Sequence, residues 1–287
     1  IKSFNGRGLE DFSISRLKEK MPWGVPVPGD ENHVMYVWFD ALVGYISALG
    51  WPENTEQFNA FWPGLQMAGK DNLRQQSSMW QAMLMSAGLP NAKQIFIHGF
   101  ITANGQKMSK SLGNVVDPFG LVKKYGTDAV RYYLLREFSG TEDGDFTQEK
   151  FEQRYNADLA GGIGNLLSRT LTLAQKMTVN AAVPAEAMQK AIAITRQKTS
   201  KHLESFAFNE SLKSIWELVS YCDKFLNEEK PWEGGENAPR AVGEVMTALS
   251  AIGELLSPFL PETAERIIHT VADRKPKALF PRLTSLI

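Results

Sequence analysis

Two lysines and two hydroxyls fall within residues 107–111: Lys107, Ser109, Lys110 and Ser111, inside the stretch HGFITANGQKMSKSLGN that runs over 98–114. Gly105 and Gly113 flank them, so the backbone there can move and approach a ligand closely. A mobile cationic clamp of this kind suits phosphoryl or nucleotidyl transfer, where charge builds on leaving phosphate oxygens and is best met by positioned cations. An arbitrary KxxK pair is more often a solvated basic loop. The strand-like run that precedes this one, and the HGF segment between them, set it apart.

The elements that must carry the clamp read as α/β up to about residue 115. Candidate strands lie at 35–39, 66–68 and 94–97, the last a β-branched and aromatic run bounded by Gly99. A helix of about four turns is expected over 72–87, stopped by Gly88 and Pro90. Strand, helix, strand is the crossover unit of a parallel sheet, whose ligands sit beyond the carboxyl ends of its strands. Asp117 and Pro118 start a short helix closing at Gly126, a second helix spans 128–137, and the acid- and glycine-rich loop 139–145 reads as a domain boundary. Beyond it the pattern is helical: Leu212, Ile215, Trp216, Val219 and Leu226 keep one face, as do Val245, Leu249, Ile252 and Leu256. Pro184, Pro231 and Pro258 punctuate what reads as a helical bundle.

The 287 residues hold 31 Lys and Arg against 32 Asp and Glu. With that balance, any nucleic-acid site must be a local patch and not a global basic field. The length predicts about two domains. Cys222 is the only cysteine, which excludes an internal disulfide, a thiolate zinc cluster and a CxxC pair, so no zinc site is expected and a reducing, cytoplasmic setting fits. No apolar run reaches the roughly 18 residues of a spanning helix, and the first six residues lack the apolar stretch of a signal peptide. No membrane association is expected, and the absence of an initiator Met suggests a fragment.

KMSKS at 107–111 is the second signature of class I aminoacyl-tRNA synthetases, and the chain around it closely resembles the methionyl-tRNA synthetase family. The resemblance includes GLEDFSISR (8–16), WGVPVP (23–28), YVWFDALVGYIS (36–47), AGKDN (68–72), GTDAVRYYLLR (126–136), NADLAGGIGNLLSR (156–169), NEEKPW (227–232) and LFPRL (279–283). It implies a fold of α/β followed by all-α: residues 1–115 as the second half of a Rossmann-type catalytic domain, 116–146 as a stem-contact connector, and 147–287 as an anticodon-binding bundle. The implied reaction joins methionine to ATP, which brings Mg2+ with it, and passes the acyl group to tRNA(Met). Lys107 and Lys110 would clamp the pyrophosphate, with Met108, Ser109 and Ser111 in the same ATP-binding loop. Asp71 would hold the ribose hydroxyls, Gly69 would leave room for the nucleotide, and His98 and Gly99 would lie on the adenine side.

For the methionine side chain, an unbranched thioether, aromatic walls supply favourable sulfur contacts. The resemblance puts Trp38, Ala41, Leu42, Tyr45, Asn72 and Gln76 at that pocket, and without it Trp38 and Tyr45 would read as core aromatics. Gln76 stands where the family commonly has a histidine beside the bound methionine. Asn165, Arg169 and Trp232 match the residues that read the CAU anticodon, by amide and guanidinium hydrogen bonds and by stacking. Without the match, Trp232 after Pro231 reads as a core plug at a helix end. The HIGH signature of the first half of the nucleotide fold is absent; Ile97 to Phe100 belongs to the other half. The expected partner is therefore an N-terminal half carrying HIGH, in the same or a separate chain. A tRNA-binding module, or a degenerate synthetase-like protein without catalysis, is the alternative.

Overall fold

The computed structural model describes residues 11, 13–179 and 184–283. The first six residues, and positions 8–10 and 12 of the 8–16 motif, lie outside them. The chain forms two compact units that meet at Phe100 and Ile101.

In the first unit, β1 (Ser15–Leu17) and β2 (Pro26–Val27) flank β3 (Asp30–Met35) in an antiparallel sheet. Helix α1 (Val37–Ser47) follows directly, which corrects the strand expected over 35–39: only Met35 of that run is in a strand. The run misleads because two helical stripes are apolar at once, Trp38, Leu42 and Tyr45 on one side and Phe39, Val43 and Ile46 on the other, so consecutive residues look uniformly β-forming. After α2 (Thr55–Phe61), the expected crossover appears. Strand β4 (Leu65–Gly69) pairs in parallel with β5 (Gln94–His98), Gly69 opposite His98. The intervening helix opens as a π turn, Gln75–Met79, before α3 (Trp80–Ser86), and ends at Gly88 with φ +69°. Leu42, Ile46, Phe58, Trp62, Met79, Trp80 and Leu84 form the core beneath it. Trp62 donates its indole N–H to the Pro90 carbonyl at 2.7 Å, so the ring satisfies its polar handle while buried.

The second unit begins with a hairpin of β6 (Ile101–Ala103) and β7 (Gln106–Lys107). Asp117 caps α4 (Pro118–Tyr125) by accepting from the N–H groups of Phe119 and Gly120, a contact worth about 1 kcal/mol in such helices. Helix α5 (Thr127–Glu137) follows, and then the acidic loop enters β8 (Gly144–Phe146), which returns to pair in parallel with β6. The loop read as a boundary therefore lies inside this unit. From α6 (Gln148–Arg154) the chain passes through a long π-helical stretch, Tyr155–Gly164, into α7 (Asn165–Ala174), α8 (Glu186–Glu204), α9 (Phe208–Glu229), α10 (Ala238–Leu256) and α11 (Pro261–Asp273). Both apolar stripes read from the sequence are buried in this bundle, as is Cys222, whose thiol is pushed up to about 12 by that burial. Gly253 lets α10 and α11 close: a Cβ there would lie 2.9 Å from Ile268. Buried Asp128 on α5 accepts from the Thr263 N–H at 2.6 Å, which ties the start of α11 into the same core. No helix among the described residues is long and apolar enough to cross a membrane.

Candidate functional site

The carboxyl ends of β4 and β5 lie side by side, and the chain turns from each into a polar group. A Cβ built on Gly69 would sit 2.8 Å from Asp71 Oδ1, 3.6 Å from His98 Cε1 and 3.8 Å from His98 Nε2. The carboxylate and the imidazole thus converge over the bare face of Gly69. Its φ of −70° suits any residue, so space and not backbone conformation requires glycine here. His98 Nδ1 lies 3.0 Å from the Gly99 carbonyl, which can only accept, so Nδ1 carries a proton; in the tautomer this bond selects, Nε2 is the acceptor. Two acceptors at strand ends suit a ligand rich in donors, such as a ribose diol or an exocyclic amine. Gly99 itself is buried.

Trp38, Ala41, Leu42 and Tyr45 share one face of α1, as spacings of three and four require. The structure separates them by depth. Leu42 is sealed in the core, Trp38 packs against it half-buried, and Ala41 and Tyr45 are exposed. Tyr45 is joined to Gln76, whose Nε2 donates to the phenol oxygen at 2.9 Å. Gln76 is buried on the π turn, and its Oε1 has no partner. Asn72 ends the short 3-10 turn that leads there from Asp71. An apolar cavity of about 480 Å³ opens beside Phe39, Val43 and Ile46 of α1. The expected thioether residues are not the ones that line it.

In the second unit the KMSKS segment leaves β7 on a braced hairpin. Asn104 and Gly105 both take positive φ, +51° and +74°, the two-residue turn that matches strand twist. Asp145 on β8 accepts from Thr102 Oγ1 at 2.7 Å and from the Gly105 N–H at 2.6 Å. These bonds, the threonine's first, hold the Asp145 carboxyl below its ordinary value. Ser109 caps a 3-10 turn, Lys110–Leu112, by accepting from the Leu112 N–H, and its hydroxyl lies 3.1 Å from that of Ser111. Asn114 closes the segment: Oδ1 accepts from the Ser109 N–H at 2.9 Å and Nδ2 donates to the Lys107 carbonyl at 3.2 Å. Met108 is half-buried, Lys107 and Lys110 are exposed, and Lys110 forms no ion pair among the described residues. Sequence reasoning missed Asn114 and Asp145. Asn114 carried a signal, an amide just past the αL glycine Gly113, whereas Asp145 resembles any other acid in a linker.

Farther along the second unit, Asn165 and Arg169 stand one turn apart on α7. Arg169 Cζ lies 4.5 Å from the centre of the Trp232 ring. Trp232 follows α9 on a 3-10 turn, Pro231–Glu233, where Lys230 takes φ +44° and Pro231 is the buried anchor. Trp232 is 46% exposed, so it is not the core plug that its position after proline suggests. Arg169 also donates to Asp223 Oδ1 at 3.3 Å and to Asn227 Oδ1 at 2.8 Å, and these two acceptors wall a cleft of about 380 Å³.

Half of an α/β nucleotide fold that runs through a KMSKS hairpin into a helical bundle is the class I aminoacyl-tRNA synthetase fold. The family model described as tRNA synthetases class I (M) matches residues 1–171, and that of the anticodon-binding domain of tRNA ligase matches residues 187–283. The chain belongs to the methionyl-tRNA synthetase family. It is similar to the methionine–tRNA ligase of Thermosynechococcus vestitus, 44% identical over 93% of this chain and 54% of that protein. A similar relative from Brucella melitensis is 40% identical over 98% of this chain and 56% of its own length. Among solved structures, Mycobacterium tuberculosis methionyl-tRNA synthetase in complex with methionyl-adenylate aligns with a TM-score of 0.85 at 34% identity, over 98% of this chain and 61% of that one. The chain thus spans about half the length of the curated relatives it matches.

Proposed function

We propose that this chain supplies part of a methionine–tRNA ligase: it activates methionine with ATP to the adenylate and transfers the acyl group to tRNA(Met), together with a segment that carries HIGH. The methionine carboxylate oxygen bonds to the α-phosphorus, the bridging bond to the β-phosphate breaks, and pyrophosphate leaves with that electron pair. Mg2+ enters as part of the ATP substrate. Lys107 and Lys110 stabilise the charge that develops on the leaving oxygens, which lowers the barrier more than it tightens ground-state binding. Met108, Ser109 and Ser111 shape the same loop. Asp71 accepts from the ribose hydroxyls over Gly69, while His98 and Gly99 meet the adenine. Trp38, Ala41, Leu42, Tyr45, Asn72 and Gln76 form the methionine side, and Asn165, Arg169 and Trp232 read CAU. By function, residues 1–115 serve the chemistry, 116–146 meet the tRNA stem and 147–287 bind the anticodon arm, in the cytoplasm.

The observation that carries this reading is the KMSKS hairpin, where Asn114 and Asp145 make the loop's structural bonds and Lys110 is left exposed, without an ion pair among the described residues. The test is exchange of pyrophosphate into ATP, dependent on methionine, with this chain and the HIGH-bearing half together. Exchange is expected from the pair and not from the chain alone. Lys110→Ala should slow adenylate formation by roughly two orders of magnitude, the scale of one lost preorganised group, with methionine affinity nearly unchanged. Equal losses in rate and methionine affinity would mean that Lys110 acts through folding. CAU-selective RNA binding without exchange by the pair would leave the tRNA-binding module as the better reading.

A further inference from the structure

We propose that Asp223 and Asn227 are positioning residues which hold the Arg169 guanidinium over the Trp232 ring, and that this fixed pair, and not the free charge of the arginine, selects the nucleobase stacked there. The proposal rests on the anticodon reading of the bundle.

The contacts form a closed ring. Arg169 donates through one terminal nitrogen to Asp223 Oδ1 at 3.3 Å and through the other to Asn227 Oδ1 at 2.8 Å. Asn227 Nδ2 donates in turn to Asp223 Oδ2 at 3.2 Å, so the two acceptors fix one another. They stand four residues apart on α9, hence on one face, and the helix ends just before the turn that carries Trp232. A planar guanidinium tied at two corners has a fixed plane, and here its Cζ lies over the indole, 4.5 Å from the ring centre.

An arginine ordered before RNA arrives loses less freedom on binding than a loose one. A carboxylate at 3.3 Å offsets its charge, so it is a poor counterion for phosphate and its part in binding is to back the ring and offer its remaining N–H groups to a base edge. The indole, 46% exposed with the guanidinium on one face, keeps surface for an unpaired base. The ligand chemistry is that of a single-stranded RNA loop. Cutting the tie at Asp223 converts Arg169 from a selective backing into a mobile cation, which gains phosphate binding and loses base preference.

The test titrates the 287-residue chain with a short hairpin RNA whose loop carries CAU, and with one whose anticodon is altered, at several salt concentrations. The wild type should prefer CAU with a shallow salt dependence. Asp223→Ala should reduce CAU affinity about tenfold, abolish most of the preference, and steepen the slope of log affinity against log salt by about one, the signature of one new phosphate contact. Asp223→Asn keeps a carbonyl acceptor but no charge; it should retain the preference and still steepen the slope. Wild-type preference and slope in Asp223→Ala overturn the proposal. If that variant does not fold, Asp223→Asn decides: an unchanged slope, or loss of the preference in the folded protein, overturns it. A wild-type chain that does not distinguish the hairpins overturns the anticodon reading and this proposal with it, whereas preference in the wild type that survives in Asp223→Ala overturns the positioning role alone.

Discussion

Tyr45 and Gln76 are 31 residues apart and joined by one hydrogen bond, in which Gln76 is buried and its Oε1 is already unpaired. Tyr45→Phe removes the remaining partner of that amide. Stranding a buried polar group costs about 1–3 kcal/mol, while deleting both partners in favour of apolar groups is nearly neutral. Urea denaturation should therefore find Tyr45→Phe destabilised by about that amount, and Gln76→Leu in the same chain should recover most of it. A neutral Tyr45→Phe would mean that the amide finds another partner. Because an amide does not titrate, this contact is also indifferent to the pH range in which a histidine would change charge. The residue types at 45 and 76 were legible in the sequence, together with the departure from histidine. The bond was not, since it depends on a π turn that no propensity scale marks. Trp232 shows the converse: proline before tryptophan suggests a buried helix end, but here the proline is buried and the ring is left outside.

The three-residue strand β8 shows what an element can hide. Its sequence, Gly144, Asp145 and Phe146, sits in a run of acids that reads as a linker, and its partner β6 lies over forty residues earlier. Nothing local specifies such a pairing, whereas β4 and β5 announced themselves through continuous apolar runs bracketing a helix. Through Asp145 this strand braces the KMSKS hairpin. The carboxyl's pKa is lowered in the folded state, so its stabilising contribution is complete above the ordinary carboxylate value of roughly 4 and is lost as pH falls through the lower folded value. The Gly105 amide, donor to Asp145, should accordingly stay protected at neutral pH and lose its donor shift in NMR spectra only at stronger acidity. Asp145→Asn should leave little acid dependence at that amide. If the wild-type amide changes at about pH 4 or above, the carboxyl is not held as described.

At the scale of the molecule, residues proposed for one reaction are divided between two compact units: Asp71 and His98 precede the junction at Phe100 and Ile101, and the lysines of KMSKS follow it. Their core clusters are distinct. The first unit, with the smaller buried cluster, should unfold at lower urea than the helical second unit. Five of the seven tryptophans, at 23, 38, 51, 62 and 80, lie in the first, so fluorescence should report an earlier midpoint than far-ultraviolet circular dichroism, which follows the helices. Coincident curves would show one cooperative unit. The α/β-then-helical order was legible because the hydrophobic period changes along the chain, but the place of the junction was not, since a hairpin with β8 as its partner belongs with the bundle that supplies it. Cys222 has a separate, practical consequence. Burial and a thiol pKa of about 12 leave almost no thiolate for attack at neutral pH, so alkylating dyes should pass it by. Leu112→Cys, at an exposed position beside the lysine clamp, would then provide the sole labelling point, and the loop could be followed in real time by an attached fluorophore with the native thiol left in place.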